Sequence, residues 1–210
     1  MTAMAERTAR SVTTVLQAMV GMSLLTLLLL SADVDAQSPR ISSFKYNGNG
    51  CPSGTAVGEI SVDGLVITMK YSAFSATTDQ GVSGMRKSCQ LNIAMTYSPG
   101  YSFSLEMVTL RGYTFLDDKV KATHKVSYYL TGQTGTGSFS GSTTGPFDDN
   151  YEHSGPVTPK VWSPCNLRRN LNVKAEVRVD NSANRSGAGF IDVDTKDVVL
   201  AFRLKWKTCK

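Results

Sequence analysis

The chain has 210 residues, of which 41% are hydrophobic and 19% charged, and its 22 Lys and Arg residues outnumber its 17 Asp and Glu residues for a net charge of +5. A chain of this length suits a single domain with a real hydrophobic core. Its basic residues are interspersed and do not form a dense stripe with stacking aromatics, which argues against a nucleic-acid reader.

The first element is a leader. Residues 1–36 have a basic start, an apolar run from Val15 to Leu30 and a small-residue ending at Ala36, which are the three parts of a signal peptide. We predict cleavage after Ala36, so that residues 37–210 form one secreted domain with 20 basic and 14 acidic residues. An uncleaved membrane anchor is the alternative, but the uninterrupted apolar core of the leader is short against the ~20 residues of a spanning helix. After cleavage we expect no membrane segment, and a location outside the cell or at its surface.

Alternation of apolar and polar residues dominates the predicted domain. It is strict in residues 89–97 and 171–180, and again in 198–206, and a period of two predicts half-buried β-strands. Turn signals such as Asp63-Gly64 separate the strands. Further strands are predicted at 41–46, 57–62, 65–72, 101–115, 119–131 and 135–141.

No segment of the domain shows a sustained period of 3.6, so helix should be scarce. Many antiparallel strands with turns between them predict an all-β fold, an antiparallel two-sheet sandwich of jelly-roll or Greek-key type, with a closed barrel as the alternative. Residues 72–87 and 141–164 lack the strand pattern, and the second segment contains four prolines. We predict both as loops, and loops of such length are often functional.

The predicted loop 141–164 contains the densest group of chemically able side chains. Carboxylates and an imidazole occur together there, at Asp148, Asp149, Tyr151, Glu152 and His153. They could hold a cation or contact a ligand, although the segment lacks the spacing of an EF-hand loop. As a glycosidase pair, Asp149 and Glu152 would need a fixed separation across a sugar ring. The residues favour a solvated acidic loop without a ligand, and a calcium or glycan-contact role is the alternative.

Three features outside this loop also bear on function. His124 falls at an inward position of its predicted strand, which favours a hydrogen-bonded core histidine over a catalytic base. Tyr128 and Tyr129 put one ring on each face, so Tyr129 is exposed if Tyr128 is buried. An exposed ring can stack on a sugar, although a lone surface tyrosine usually has no ligand. Asn184-Arg185-Ser186 is a glycosylation sequon in a polar turn.

The four cysteines all follow the leader, at Cys51, Cys89, Cys165 and Cys209. An even number in an exported chain predicts disulfides, of which four cysteines allow three connectivities. We favour Cys51 with Cys89 and Cys165 with Cys209. Each would close a loop of about 40 residues and contribute roughly 3 to 4 kcal/mol on a chain-entropy model. A zinc site is the competing interpretation, but none of these cysteines is close to another in sequence.

The sequences around the cysteines resemble those of a known family. Their order and spacing are similar to the DUF4360 family of small secreted proteins, a domain of unknown function. The resemblance implies export and a disulfide framework, and it carries over no catalytic residue. The segments that match are Gly50-Cys51-Pro52-Ser53-Gly54-Thr55-Ala56-Val57, Arg86-Lys87-Ser88-Cys89-Gln90-Leu91-Asn92, Arg111-Gly112-Tyr113, Trp162-Ser163-Pro164-Cys165 and Trp206-Lys207-Thr208-Cys209.

Together these features favour a secreted, disulfide-bonded protein that binds or builds the extracellular surface without catalysis. A cell-wall or extracellular glycan is the expected partner, and no cofactor is expected. The alternatives are a secreted hydrolase that uses residues 148–153 and a secreted effector or inhibitor.

Overall fold

Strands account for all the regular secondary structure in a computed structural model that describes residues 39–193 and 200–209. The predicted leader and Val198 lie outside the described residues. Helices long and apolar enough to span a bilayer are absent from the part of the chain that is described. Within that part the strands are β1 (Arg40–Asn47), β2 (Ala56–Ile60), β3 (Val66–Tyr71), β4 (Ser75–Thr77), β5 (Arg86–Thr96), β6 (Tyr101–Leu116), β7 (Lys121–Leu130), β8 (Gly137–Thr144), β9 (Phe147–Pro156), β10 (Leu171–Asp180), β11 (Gly189–Asp192) and β12 (Leu200–Thr208).

The strands form two antiparallel sheets. One has five strands in the order β1-β5-β10-β7-β8, and the other has seven, in the order β2-β3-β12-β6-β11-β4 with β9 paired to β6. The long strand β6 is central to the second sheet, because β12 and β11 pair with one of its edges and β9 with the other. The predicted all-β two-sheet sandwich is confirmed, and the sheets do not close into a barrel.

The core lies between the sheets and is built from the alternating positions that the sequence predicts to face inward. Leu91 and Ile93 of β5 and Phe202 of β12 have no exposed surface. Each fully buried side chain of this size contributes about 1.5–3 kcal/mol. The residues that alternate with these core positions along each strand therefore face outward and form the two outer faces of the sandwich.

Two disulfides cross-link the sandwich. Cys51 is joined to Cys89 and Cys165 to Cys209, with Cα atoms 5.4 and 5.6 Å apart, which confirms the favoured pairing. The first bond is buried inside the sandwich, whereas the cysteines of the second are only half-buried. The second bond attaches the end of β12 to the segment that precedes β10, and so connects the two sheets.

The prediction of loops at 72–87 and 141–164 is wrong for part of each segment. The first contains β4 and the start of β5, while β8 extends to Thr144 and all of β9 lies in the second. Strand β9 pairs along its whole length with Met107–Leu116 of β6. Its outward residues meet water and polar side chains of β6, so it needs few apolar residues, and for this reason its sequence resembles a loop.

Candidate functional site

The outer face of the five-stranded sheet, which we call the five-stranded face, is almost entirely polar. Its residues come from the positions that alternate with the core, and neighbouring strands place them side by side: Lys174 of β10 lies opposite Ser127 of β7, and Glu176 opposite Lys125. Strand β8 adds exposed hydroxyls at Ser140 and Ser142. The face is therefore a broad polar surface on a rigid sheet.

Three asparagines cross one end of this face as a continuous hydrogen-bonded row, which we call the asparagine line. Asn92 of β5 donates through Nδ2 to Oδ1 of Asn172 on β10, at 2.8 Å. Asn170 in turn donates to Oδ1 of Asn92 at 2.8 Å, and Asn172 donates to Oγ1 of Thr131 at 2.9 Å. These bonds fix the orientation of every amide.

The asparagine line keeps hydrogen-bonding capacity for a ligand. An amide oxygen accepts two hydrogen bonds and an amide nitrogen donates two. Asn92 uses one donor and one acceptor within the protein, and Asn170 uses one side-chain donor. Both side chains are partly exposed, whereas Asn172 is buried, with 6% of its surface accessible. The line thus offers preoriented donors and acceptors at the surface.

Tyr129 lies at the end of this line, directly opposite Asn172 in the pairing of β7 and β10. Its side chain is 41% exposed, and among the described residues its hydroxyl has no hydrogen-bond partner. The adjacent Tyr128 is 1% exposed, and its hydroxyl lies 2.9 Å from Oγ of Ser104 inside the core. The predicted division of the two rings between core and surface is confirmed.

The acidic groups of the five-stranded face are neutralised by arginines. Arg86 binds Glu176 at 2.6 Å, and Arg178 binds Asp180 at 2.8 Å. The hydrogen bond from Arg86 lowers the pKa of Glu176, and the backbone N–H of Ser182 lowers the pKa of Asp180. Both carboxylates are therefore ionised and paired at neutral pH.

The predicted ligand loop, residues 148–153, lies within strand β9 of the other sheet, and two of its three acidic side chains bind residues of β6. Asp148 accepts a hydrogen bond of 2.5 Å from the Tyr113 hydroxyl, which raises the pKa of that phenol. Glu152 forms an ion pair of 2.9 Å with Arg111. These carboxylates are occupied by neighbours on the outer face of the seven-stranded sheet.

The strand geometry does not bring Asp149 and Glu152 together. They are three positions apart in β9, and alternation puts such positions on opposite faces of a strand. Asp149 instead accepts the backbone N–H of Asn150, at 2.7 Å. The two carboxylates therefore cannot flank one sugar ring as a glycosidase pair requires.

The remaining two residues of this group face inward, where they meet His124. Nδ1 of His153 lies 3.4 Å from Nδ1 of His124, and the ring of Tyr151 stacks on that of His124 with centroids 6.1 Å apart. His124 is 3% exposed, as its inward position predicted, and its Nε2 has no partner among the described residues. Burial and the nearby His153 lower the pKa of His124 to about 4, and burial lowers that of His153. Both rings are neutral near pH 7.

Two other predictions concern single sites. In the described ranges, no three or more His, Cys, Asp or Glu side chains are grouped closely enough to hold a metal ion.

The Asn184 side chain of the sequon donates from Nδ2 to the backbone oxygen of Asp118 at 2.9 Å, and the Ser186 hydroxyl donates to Oδ1 of Asn184 at 3.1 Å. Glycosylation of Asn184 stays a prediction.

Sequence reasoning missed the asparagine line. A signal was present, because Asn92 and Asn172 each occupy an outward position of a strictly alternating strand. The information that β5 and β10 are neighbours was not available from the alternation, so the two amides could not be placed together.

Comparisons with known proteins give a family and one relative. A family model described as a domain of unknown function, DUF4360, matches residues 37–209. An uncharacterized secreted protein of Arthroderma benhamiae is 33% identical over 181 residues, which cover 83% of this chain and 74% of that protein.

Solved structures match only weakly. TmCBM61 in complex with β-1,4-galactotriose is 13% identical, with a TM-score of 0.30, and the match covers 78% of this chain and 90% of that one. A cyclase from Fischerella sp. TAU is 10% identical, with a TM-score of 0.31 and coverage of 86% and 93%.

Proposed function

Because this chain belongs to the DUF4360 family, whose function is unknown, we propose a function from its own side chains: it is an exported protein that binds an extracellular glycan, without catalysis, on the five-stranded face. The observation that carries the proposal is the exposed Tyr129 beside the asparagine line, and the hydroxyl of Tyr129 has no hydrogen-bond partner in ranges 39–193 and 200–209. Export is supported by the leader-like residues 1–36, by the two disulfides and by a relative that is named as secreted.

The chemistry of a sugar fits this surface. A pyranose ring has an apolar face of C–H groups and an edge of hydroxyls, so it needs a flat apolar surface beside groups that both donate and accept hydrogen bonds. Tyr129 offers the flat ring, and Asn92 and Asn170 offer amides that are already oriented. Preorientation reduces the entropy that binding must overcome.

The test is retention on an array of extracellular glycans, followed by titration of the best ligand with Tyr129→Ala. We expect the substitution to weaken binding about tenfold, which corresponds to roughly 1.4 kcal/mol, because the stacking surface is lost. Tyr113→Ala is the matched control, since Tyr113 is an equally exposed tyrosine, at 37%, on the other face. Its affinity should stay within twofold of the unmodified protein.

Two results would overturn the proposal. One is the absence of retention on any glycan by correctly oxidised protein. The other is an equal loss for the two tyrosine variants, which would show that Tyr129 has no special part in binding.

A further inference from the structure

The five-stranded face holds a second feature, a shallow hollow of about 430 Å³ at the opposite end of β7 from Tyr129. It lies across β7, β8 and β10. Its lining includes Lys121, Lys125, Ser140 and Ser142, together with Arg178 and the Glu176 carboxylate, which is paired with Arg86. From this hollow and the charges around it we propose that the glycan is acidic and that its carboxylate or sulfate groups bind these lysines. The proposal rests on the proposed function and specifies its ligand class.

The charge of the face is strongly one-sided. Seven basic and two acidic residues occupy its outward strand positions, namely Arg40, Lys45, Arg86, Lys121, Lys125, Lys174 and Arg178 against Glu176 and Asp180. Both acids are paired with arginines. In the described part of the chain the four lysines have no ion-pair partner, so their charge is available to a ligand.

The arrangement suits an extended polymer. Lys121 and Tyr129 are eight residues apart on β7, a distance of about 26 Å along a strand. Lys125 lies between them on the same face, beside Glu176, and Lys174 lies on the neighbouring strand. A polysaccharide could stack on Tyr129, bond to the asparagine line and continue over the lysines to the hollow.

The ring content of the face favours a sugar over a nucleic acid. A nucleic-acid groove combines basic groups with several aromatic rings on which successive bases stack. Tyr129 is the sole aromatic ring at the described outward positions of this sheet's central strands, β5, β10 and β7. Around it the face offers hydroxyls and amides, which match sugar hydroxyls.

The experiment measures binding to immobilised polygalacturonate and dextran sulfate, each beside its neutral counterpart, methyl-esterified polygalacturonate or unmodified dextran. We expect at least one acidic polymer to retain the protein about tenfold more strongly than its neutral counterpart, and salt to release it by screening the charges. The two acidic polymers show whether carboxylate or sulfate is preferred.

The decisive variant is the triple substitution of Lys121, Lys125 and Lys174 by Gln. It should lower affinity for the acidic polymer about tenfold. The matched control is Arg203→Gln with Lys205→Gln and Lys207→Gln, which removes the same charge from exposed positions of β12 on the other face. The control should lose less than threefold, and an unchanged melting temperature verifies the fold of both proteins.

Several outcomes would overturn the inference. Equal losses for the two triple variants would show a general effect of net charge. Retention of single-stranded DNA as strong as that of the acidic polymers would show that the sugar adds nothing. Binding of neutral and acidic polymers alike, with loss in Tyr129→Ala but not in the lysine variant, would overturn the acidic ligand and leave glycan binding intact.

Discussion

The two outer faces of the sandwich look alike in composition but differ in how their polar groups are used. Each has an exposed tyrosine, Tyr129 or Tyr113, surrounded by charged and amide side chains. On the seven-stranded sheet the polar groups bind one another: Tyr113 with Asp148, Arg111 with Glu152, and Thr109 with Ser154 at 2.6 Å. On the five-stranded face, Tyr129 and four lysines have no such partner in the described part of the chain.

This difference teaches that exposure alone does not identify a binding surface. Five basic and five acidic residues occupy the outward strand positions of the seven-stranded sheet that are described, against seven and two on the five-stranded face. A surface whose charges are balanced and paired has little left for a ligand, while an unpaired one retains both charge and hydrogen-bonding capacity. Three predictions test how far this contrast holds.

The largest expected effect is the loss of stability in acid. It sets the pH range in which the protein stays folded and ligand binding by the two faces can be compared. The pKa of His124 is about 4 in the folded protein against 6.5 for a free histidine. Below pH 6.5 the unfolded chain therefore binds a proton that the folded protein refuses. Neutral His124 therefore makes its full contribution to the free energy of unfolding above pH 6.5. The free energy of unfolding should fall by about 3 kcal/mol as the pH drops from 6.5 to 4.

The surroundings of His124 explain the sign of this effect. The rings packed on it are those of His153 and Tyr151 from β9 and of Phe139 from β8. Directly opposite it in the sheet are Val177 of β10 and Gly141 of β8. None of them carries a negative charge. Urea denaturation at pH 7.5 and 4.5 measures the effect, and His124→Gln should reduce the difference between the two. An identical difference in that variant would exclude His124 as the cause.

An intermediate effect is expected from Asn172→Ala, which removes the centre of the asparagine line. Because Asn172 is buried and bonds to Asn92 and Thr131, its loss leaves polar groups without partners and should lower the free energy of unfolding by about 2 kcal/mol. Thr109→Ala, which removes a partly exposed bond of the other face, is the control and should cost about 0.5 kcal/mol. Equal losses of unfolding free energy in the two variants would contradict the contrast between the buried asparagine line and the solvent-exposed bond of Thr109 with Ser154.

The smallest effect concerns the ion pair of Arg111 and Glu152. Their side chains are 51% and 52% exposed, so solvent screens the attraction, and a double-mutant cycle with Arg111→Ala and Glu152→Ala should give a coupling of about 0.5 kcal/mol or less. A coupling above about 2 kcal/mol would mean that this ion pair stabilises the fold of the seven-stranded sheet and does more than neutralise its surface charges.

The sequence predicted those parts of the fold whose pattern depends on burial. Strands β5, β10 and β12 each bury one face, so their alternation located them, and the cysteine pairing was correct. Strands β4 and β11 have three and four residues, too few to show a period. The alternation did not reveal β9, because backbone hydrogen bonds to β6 hold this strand in place and its side chains need not follow an apolar–polar pattern.

For the candidate site, sequence reasoning located single residues but not their neighbours. Tyr129 and His124 were placed on the correct faces because each lies in an alternating strand. That His153 packs on His124, and that Asn92 meets Asn172, depends on which strands are adjacent. Adjacency results from contacts between residues far apart in the chain, and local periodicity does not contain it.

The lateral sides of the sandwich bear on self-association. Edge strands can pair with the edges of other molecules and so cause aggregation. Here β8 contacts β9 and also forms an isolated bridge from Ser138 to Thr158, in the segment that follows β9. At the other edge, β1 carries a register irregularity between Ile41 and Ser43 and an exposed lysine at position 45. Such features discourage a second copy from adding a strand. On the extended glycan that we propose as the ligand, many copies could then bind side by side while each remains a separate molecule.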